Sequence, residues 1–274
     1  MKALLAIIGF CCVLFVVTIN YSQATQESIP ISFNETIARE IMLPLSAAAY
    51  GHQADTCVRN AAKDVEIVHK HYSDCSYMNI HVECTALVFV SHEHRLIGVS
   101  FGADTMLKQL QQNADAIFYQ MTVVTPGMQV SSFLLQIYEI LWDYELRKTF
   151  YAYAHTYPEY HIMMTGHSLG GSVASISAYM FVSDRDSGIR LNPNLHLYTF
   201  GQLKAGNARF ASYVDRNIKH SNRVVRADDK MVHLPFHGGY KHSNTEILYE
   251  NEMKVGDRFE VVINPIQTME HERL

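Results

Sequence analysis

Ser168 has the surroundings best suited to nucleophilic chemistry in this 274-residue chain. Residues 166–170 read Gly-His-Ser-Leu-Gly, a Gly-x-Ser-x-Gly spacing in which a serine side chain projects from a tight strand-to-helix turn. An apolar stretch precedes the motif, and a run of small residues follows it at 172–182, so a strand and a helix are predicted on its two sides. This context favours a nucleophile over a glycine-rich turn without a chemical role. The helix N-terminus would offer N–H groups to an oxyanion formed by serine attack.

A serine hydroxyl used in this way needs a general base and an acid that orients the base. With this motif, the acid and then a histidine follow the serine along the chain. Residues 223–226 (Arg-Val-Val-Arg) predict a late strand, and Asp228 and Asp229 come directly after it. Position alone leaves either carboxylate open as the acid, or as a solvated turn residue.

The segments that would hold these groups alternate between strand and helix, which predicts an α/β-hydrolase fold with a mainly parallel central sheet flanked by helices. The predicted strands are 85–91, 96–101, 162–165, 195–200, 223–226, 247–250 and 258–263, the first two forming a hairpin. The predicted helices are 38–49, 131–154, 172–182 and 208–217. Pro44 argues against an unbroken first helix. Residues 104–119 are predicted to form a helix or a mobile flap.

The N-terminus has the pattern of a secretory signal. Lys2 precedes an almost unbroken apolar run over residues 3–19, and small residues follow at Ser22 and Ala24. We expect residues 1–24 to be a signal peptide cleaved after Ala24, residues 25–274 to be the domain, and the protein to be secreted and extracellular. An uncleaved N-terminal membrane anchor is the alternative, because the run is near the length that spans a bilayer.

Secretion would place the remaining cysteines in an oxidising compartment. After loss of the signal, Cys57, Cys75 and Cys84 remain. The closeness of Cys75 and Cys84 in the sequence favours a disulfide between them, which leaves Cys57 over. Residues 34–36 (Asn-Glu-Thr) form a glycosylation sequon that is usable only in a secreted chain.

Charge and spacing exclude other classes of partner. The formal net charge is −5 and no long basic run is present, which argues against nucleic acid as a main partner. The 15 histidines are scattered and lack the spacing of metal ligands, so no metal is predicted.

From about Ile41 to Tyr249 the chain resembles the fungal-type (class 3) lipases, of the sort abundant among secreted nematode proteins. The matching segments occur in family order: Leu-Pro-Leu-Ser-Ala-Ala-Ala-Tyr at 43–50, Ser-Phe at 100–101, Gln-Leu at 109–110, Tyr-Pro-Glu-Tyr at 157–160, Thr-Gly-His-Ser-Leu-Gly-Gly at 165–171, Thr-Phe-Gly-Gln at 199–202, Gly-Asn at 206–207 and His-Leu-Pro at 233–235. This collinear set is more specific than the serine motif alone.

The resemblance implies roles for individual residues. The acid of the family lies four residues before the histidine of the His-Leu-Pro segment, which selects Asp229. The backbone N–H of Leu169 is implied as one oxyanion donor and that of Asp104 as the second. Asp104 stands where the family carries a hydroxyl residue, and a carboxylate lacks that hydroxyl donor.

The resemblance also implies a catalytic histidine near the C-terminus, preceded by an acid. His271, which follows Glu270, is the best positional match, and His242 and His237 are the alternatives. The family's cysteine-containing loop before this histidine is absent.

The resemblance implies a triacylglycerol lipase or related carboxylesterase that acts on lipid esters at a lipid–water interface without a cofactor. The apolar residues of 105–118 lie where the family carries its lid, although ordinary packing of a helix explains their spacing equally well. Asp104 and the C-terminal segment motivate an alternative, a lipase-like protein that binds lipid with weak or absent catalysis.

Overall fold

The computed structural model describes residues 33–105, 107–184, 194–236, 238–243 and 245–263. Its strands are β1 (Val65–Asp74), β2 (Glu83–Ser91), β3 (Leu96–Asp104), β4 (Met121–Thr125), β5 (Met128–Ser131), β6 (His161–His167), β7 (Leu195–Phe200), β8 (Gly206–Asn207), β9 (His220–Arg226), β10 (Tyr240–Lys241), β11 (Thr245–Tyr249) and β12 (Glu260–Ile263). Its α-helices are α1 (Glu35–Ile37), α2 (Leu43–Ala48), α3 (Ala54–Ala61), α4 (Leu107–Ile117), α5 (Ser132–Leu141), α6 (Tyr144–Thr156), α7 (Leu169–Ser183) and α8 (Ala208–Asn217).

Across the described residues the central sheet has eight strands in the order β1-β2-β3-β6-β7-β9-β11-β12. The five strands from β3 to β11 run parallel to one another, whereas β1, β2 and β12 add antiparallel edges. A smaller sheet has the order β10-β8-β5-β4. The predicted mainly parallel sheet and the predicted hairpin of β2 and β3 are confirmed.

The central sheet is covered on both faces because successive side chains of a strand point in opposite directions. On β2, Leu87 and Phe89 pack in a cluster with the N-terminal helices α1 to α3. The alternating residues Ala86, Val88 and Val90 pack in the larger cluster with α5, α6 and α7. Burial on both faces explains why these strands are almost continuously apolar.

The N-terminal helical segment runs without a gap from Glu35 to Ala48, but it is not one regular α-helix, in agreement with the expectation from Pro44. Asn34 caps α1 by accepting a hydrogen bond from the Ile37 N–H at 3.0 Å. A π-helical turn at Ala38–Met42 follows, and α2 then begins with Pro44 in its first turn. Pro44 cannot donate a backbone hydrogen bond, and the change from π-helical to α-helical geometry falls directly before it.

The predicted disulfide is present. Cys75 follows β1 and Cys84 lies in β2, and their Cα atoms are 5.8 Å apart. Cys57 is free and half-buried. The bridge ties the end of the outermost strand to its neighbour.

The prediction of one long helix over 131–154 is wrong. The segment forms two helices, because α5 ends at Leu141 and the Asp143 side chain caps α6 by accepting from the Leu146 N–H at 2.8 Å. An aspartate favours this local bond over continuing a helix. Trp142 lies at the break and stacks on Tyr138, with ring centroids 5.9 Å apart.

The segment after β3 forms α4, in agreement with the predicted helix. Its apolar residues Leu110, Ala114 and Ile117 are buried in the larger core cluster. Its outer residues, such as Gln111 and Asn113, are exposed. The apolar face of α4 therefore packs against the larger core cluster, and its polar face is exposed to solvent.

Among the helices of the described residues, none is long and apolar enough to cross a membrane. The apolar run at 3–19 lies outside the described residues, as do Ser22 and Ala24.

Candidate active site

Ser168 occupies the turn between β6, which ends at His167, and α7, which begins at Leu169. Its backbone angles are φ 55° and ψ −120°. A non-glycine residue in this region is strained, and such strain persists only where the surrounding structure enforces it. Here the Ser168 N–H donates to the Phe200 carbonyl at 2.9 Å, which ties the turn to β7. The sequence motif therefore forms the strand–turn–helix that a serine nucleophile requires.

The two glycines of the motif allow the backbone to pass very close to its neighbours. A Cβ on Gly166 would lie 2.4 Å from backbone atoms of Gly170. A Cβ on Gly170 would lie 2.1 Å from the carbonyl oxygen of Phe101 in β3. Their spacing about the serine is thus a packing requirement of the first turn of α7.

The residues expected to hold an oxyanion lie on neighbouring elements. Leu169 is the first residue of α7, where N–H groups have no acceptor within the helix. Asp104 is the last residue of β3, which pairs in parallel with β6 through Phe101 and Gly166. Asp104 is exposed. Both residues therefore stand at the same edge of the sheet as Ser168.

Asp229 and Asp228 have different environments, although they are adjacent. The exposed Asp228 forms a two-pronged ion pair with Arg226 that lowers the pKa of its carboxyl group. Asp229 is half-buried, and its Oδ1 accepts from the Met231 N–H at 2.9 Å. Its Oδ2 lies 3.2 Å from the point where a Cβ of Gly201 would stand, just beyond β7. Asp229 thus faces the strand ends, while the carboxylate of Asp228 is held by Arg226.

Of the three candidate histidines, His271, His242 and His237, the structure describes only His242. His271 and His237 both lie outside the described residues. His242 is half-buried, and its Nε2 bonds to the Val232 carbonyl oxygen at 2.7 Å. Burial lowers the pKa of His242 well below its usual value, and the charge of Arg223 adds to this effect. One ring nitrogen of His242 is therefore already engaged in a structural bond.

Two further residues at the elbow, His167 and Tyr50, were missed by reasoning from sequence. The Tyr50 hydroxyl lies 2.9 Å from His167 Nδ1 and 3.1 Å from the His167 carbonyl oxygen. His167 Nε2 lies 3.5 Å from the same Cβ point at Gly201 that Asp229 approaches. Desolvation lowers the pKa of His167, and the nearby Asp229 carboxylate partly opposes the shift. Both residues lie inside segments that the sequence comparison had matched, so their positions were a signal that could have been used.

Two cavities adjoin these residues. One of about 220 Å³ lies beside Asp229, His167 and Gly201 and is also lined by apolar residues such as Phe33 and Leu43. The other has about 310 Å³ and a more polar lining. Its walls comprise Ala49, Tyr50, Gly51, His52, Tyr72, Ser73, Asp74, His81, Glu83, Cys84, Thr85 and Asp104.

No group of three or more histidine, cysteine, aspartate or glutamate side chains within the described ranges could hold a metal ion.

A parallel sheet flanked by helices, with a strained serine between a strand and a helix, defines an α/β-hydrolase with a nucleophile elbow. Residues 99–238, about half of the chain, match the family model described as lipase (class 3). The chain belongs to this family.

Individual proteins similar to this chain are also named as lipases. Lipase ZK262.3 of Caenorhabditis elegans is 28% identical over 257 residues, which cover 84% of this chain and 70% of that protein. The secreted mono- and diacylglycerol lipase 1 of Fusarium solani is 36% identical over 90 residues, covering 32% of this chain and 25% of that protein. The crystal structure of a lipase from Rhizopus microsporus var. chinensis superposes with a TM-score of 0.64 and 24% identity, covering 80% of this chain and 74% of that one.

These findings confirm three predictions from sequence: the class 3 lipase family, the α/β-hydrolase fold and an enzyme of the carboxylic ester hydrolase class. They also support lipid esters as the general class of substrate.

Proposed function

We propose that this protein is a secreted serine lipase or carboxylesterase that hydrolyses acylglycerols or related ester lipids through an acyl-enzyme. The observation that carries the proposal is the geometry of Ser168, held at positive φ on the elbow. The Asp229 carboxylate lies beside Gly201, the residue that follows β7. The name of the Fusarium solani relative supports mono- and diacylglycerols as candidate substrates.

In the proposed mechanism His271 removes the Ser168 proton as Oγ attacks the ester carbonyl carbon, and Asp229 orients the imidazole. The tetrahedral oxyanion is held by the backbone N–H groups of Leu169 and Asp104. The intermediate collapses, His271 gives its proton to the departing alcohol, and an acyl-serine remains. Water, deprotonated by the same histidine, then attacks the acyl-serine and releases the fatty acid.

The end of the described chain is compatible with this role for His271. Strand β12 runs antiparallel to β11 and ends at Ile263 opposite Thr245, at the edge of the sheet away from Ser168. Seven residues lie between Ile263 and His271, and the eight steps of an extended chain span up to about 26–29 Å. Returning along β11 requires roughly 15 Å, and crossing the three strand spacings from β11 to β6 requires about 14 Å more sideways, a diagonal of about 21 Å. The reach is sufficient, and the cavity of about 220 Å³ beside Asp229 offers space for an imidazole.

Labelling with a fluorophosphonate probe tests the nucleophile. The wild-type protein should be labelled and should release fatty acid from ester substrates, whereas Ser168→Ala should do neither. Equal and negligible labelling of both proteins would refute the enzyme proposal.

Exchanging the histidines identifies the base. We expect His271→Ala to abolish labelling while the protein remains folded. If His242→Ala instead abolishes labelling with unchanged circular dichroism, the assignment of the base passes to His242.

We also propose that residues 1–24 are a signal peptide and that Asn34 carries a glycan. Asn34 is exposed at the start of α1, so its amide is accessible. N-terminal sequencing of protein secreted by eukaryotic cells should begin at Thr25, and Asn34→Gln should increase mobility on a gel. Retention of the full chain in membranes would support the anchor alternative.

The position of Asp104 favours one second candidate, a lipid-binding protein with weak or no hydrolysis. A carboxylate can only accept hydrogen bonds when ionised, so it supplies no side-chain donor to an oxyanion. This candidate expects lipid binding that survives Ser168→Ala without release of fatty acid. Ser168-dependent turnover would eliminate it.

A further inference from the structure

We propose that the Tyr50 hydroxyl donates a hydrogen bond to the oxyanion and so supplies the side-chain donor that Asp104 lacks. This inference rests on the proposed function and adds a catalytic residue to it. The motif around Ser168 provides backbone donors, and Asp104 provides no hydroxyl. A side chain that replaces this hydroxyl must lie close to both Asp104 and the turn that carries Ser168.

The backbone leading to Tyr50 is pressed against β3. A Cβ on Gly102 would lie 2.2 Å from the carbonyl oxygen of Ala49, so the end of α2 is in direct backbone contact with this strand. That contact is two residues before Asp104. It places the start of the Tyr50 side chain beside one of the two implied oxyanion donors.

The other end of the Tyr50 side chain reaches the nucleophile elbow. Its hydroxyl contacts both Nδ1 and the carbonyl oxygen of His167, the residue before Ser168, at 2.9 and 3.1 Å. The phenol therefore spans from the end of β3 to the end of β6. These are the elements that carry Asp104 and lead into Leu169.

The hydrogens at Tyr50 can be arranged so that the phenol is a donor. With its hydrogen on Nδ1, neutral His167 donates to the phenol oxygen, and the phenol hydrogen then points to the His167 carbonyl. An oxyanion carries a full negative charge and is a stronger acceptor than that carbonyl. As it forms, the phenol hydrogen turns toward it while remaining bonded to oxygen.

The charge states required are the ones that the surroundings favour. Burial raises the pKa of Tyr50, and the Asp104 carboxylate raises it further, so the phenol keeps its proton at any physiological pH. Desolvation lowers the pKa of His167, which keeps its imidazole neutral near pH 7. The Asp104 carboxylate, which cannot donate a hydrogen bond itself, thus helps to keep the Tyr50 hydroxyl protonated.

Tyr50→Phe tests the inference, since it removes the hydroxyl and keeps the ring. We expect kcat for ester hydrolysis to fall by about 10²–10³-fold, as for loss of one oxyanion donor, with KM changed less than about threefold. Tyr72→Phe is the matched control. Tyr72 lines the same cavity, and its hydroxyl is buried without a hydrogen-bond partner in the described structure, so kcat should be unchanged.

A second variant separates donation from packing. In the Tyr50→Phe background, Asp104→Ser restores a hydroxyl at the other position and should recover at least about tenfold of the lost kcat. A loss of kcat that Asp104→Ser does not recover would show a merely structural role and overturn the inference.

The outcome also distinguishes the inference from the function on which it depends. If hydrolysis by the wild type depends on Ser168 but Tyr50→Phe keeps full kcat, the Tyr50 inference fails and the proposed function stands. If the wild type does not hydrolyse esters at all, both fail.

Discussion

Gly170 and Phe101 are in direct backbone contact: a Cβ on Gly170 would lie 2.1 Å from the Phe101 carbonyl oxygen. The contact brings the first turn of α7 against β3, and the same turn carries Ser168 and Leu169. The strained serine backbone is therefore anchored from both sides, by β3 through Gly170 and by β7 through the bond from Ser168 to Phe200. This explains how the turn tolerates positive φ at a non-glycine residue.

Gly170→Ala should consequently destabilise the protein. The new methyl group meets backbone, which cannot move aside as a flexible side chain would, and overpacking of this kind costs about 1–3 kcal/mol or more. We expect a lower midpoint of thermal unfolding and loss of fluorophosphonate labelling. Gly238→Ala is the control, because a Cβ there meets nothing within 4 Å. Equal midpoints for the two variants would contradict the contact.

The two adjacent aspartates give a second prediction. Asp229→Asn should reduce kcat by about 10⁴-fold, the effect of replacing the orienting acid of a serine–histidine pair, because an amide no longer fixes the imidazole tautomer. Asp228→Asn should leave kcat nearly unchanged, since its carboxylate is exposed and held by Arg226. Steady-state kinetics on a soluble short-chain ester measures both. The reverse order of effects would assign the acid to Asp228.

The ion pair between Arg223 and Glu246 gives a third prediction. Arg223 is completely buried on β9, and its Nη2 lies 3.1 Å from Glu246 Oε2 on the neighbouring β11. Glu246→Ala would leave the guanidinium buried without its counter-charge, so the free energy of unfolding should fall by about 3–5 kcal/mol. Urea denaturation measures the loss.

The exposed pair of Arg226 and Asp228 provides the comparison for that experiment. Water screens both charges there, so Asp228→Ala should change the free energy of unfolding little. If both variants lower the free energy of unfolding by the same amount, burial does not explain the contribution of the Arg223–Glu246 pair to stability.

The parts of the fold that could be predicted from sequence are those whose cause is local. The elbow follows from glycine spacing and from the residues on either side of it, and strands such as β2 and β7 follow from their apolar residues. Strand β1 was missed because it is an edge strand whose sequence, Val-Glu-Ile-Val-His-Lys-His-Tyr-Ser-Asp, is mostly half-exposed. An edge strand lacks the apolar run that marks a buried one.

The site shows the same division between local and distant causes. The candidates Ser168 and Leu169 follow from a motif of five residues, and counting within a matched segment selects Asp229 as the candidate acid. The contact of Tyr50 with His167 joins residues 117 positions apart, and no local pattern encodes it. This contact is formed only in the tertiary structure, where the end of α2 packs against β3 and β3 pairs with β6.

Three histidines on adjacent parallel strands give the last prediction, a loss of stability in acid. His161 Nδ1 lies 3.0 Å from His196 Nε2, and the rings of His196 and His220 stack with centroids 4.2 Å apart. Burial lowers the pKa of His196 to about 3, and the neighbouring His220 and His161 add to the shift.

The unfolded chain takes up this proton near pH 6.5, whereas the folded protein does not until about pH 3. The unfolded state therefore binds more protons in this window, and the free energy of unfolding falls as the pH drops from 6.5 toward 3. At pH 5 the contribution of His196 alone is about 2 kcal/mol. We expect His196→Gln to remove about that much of the difference in unfolding free energy between pH 7.5 and pH 5, measured by urea denaturation. His155→Gln, which replaces an exposed histidine on α6, should leave the difference unchanged. A pH dependence of His196→Gln identical to that of the wild type would show that the three rings do not govern acid stability.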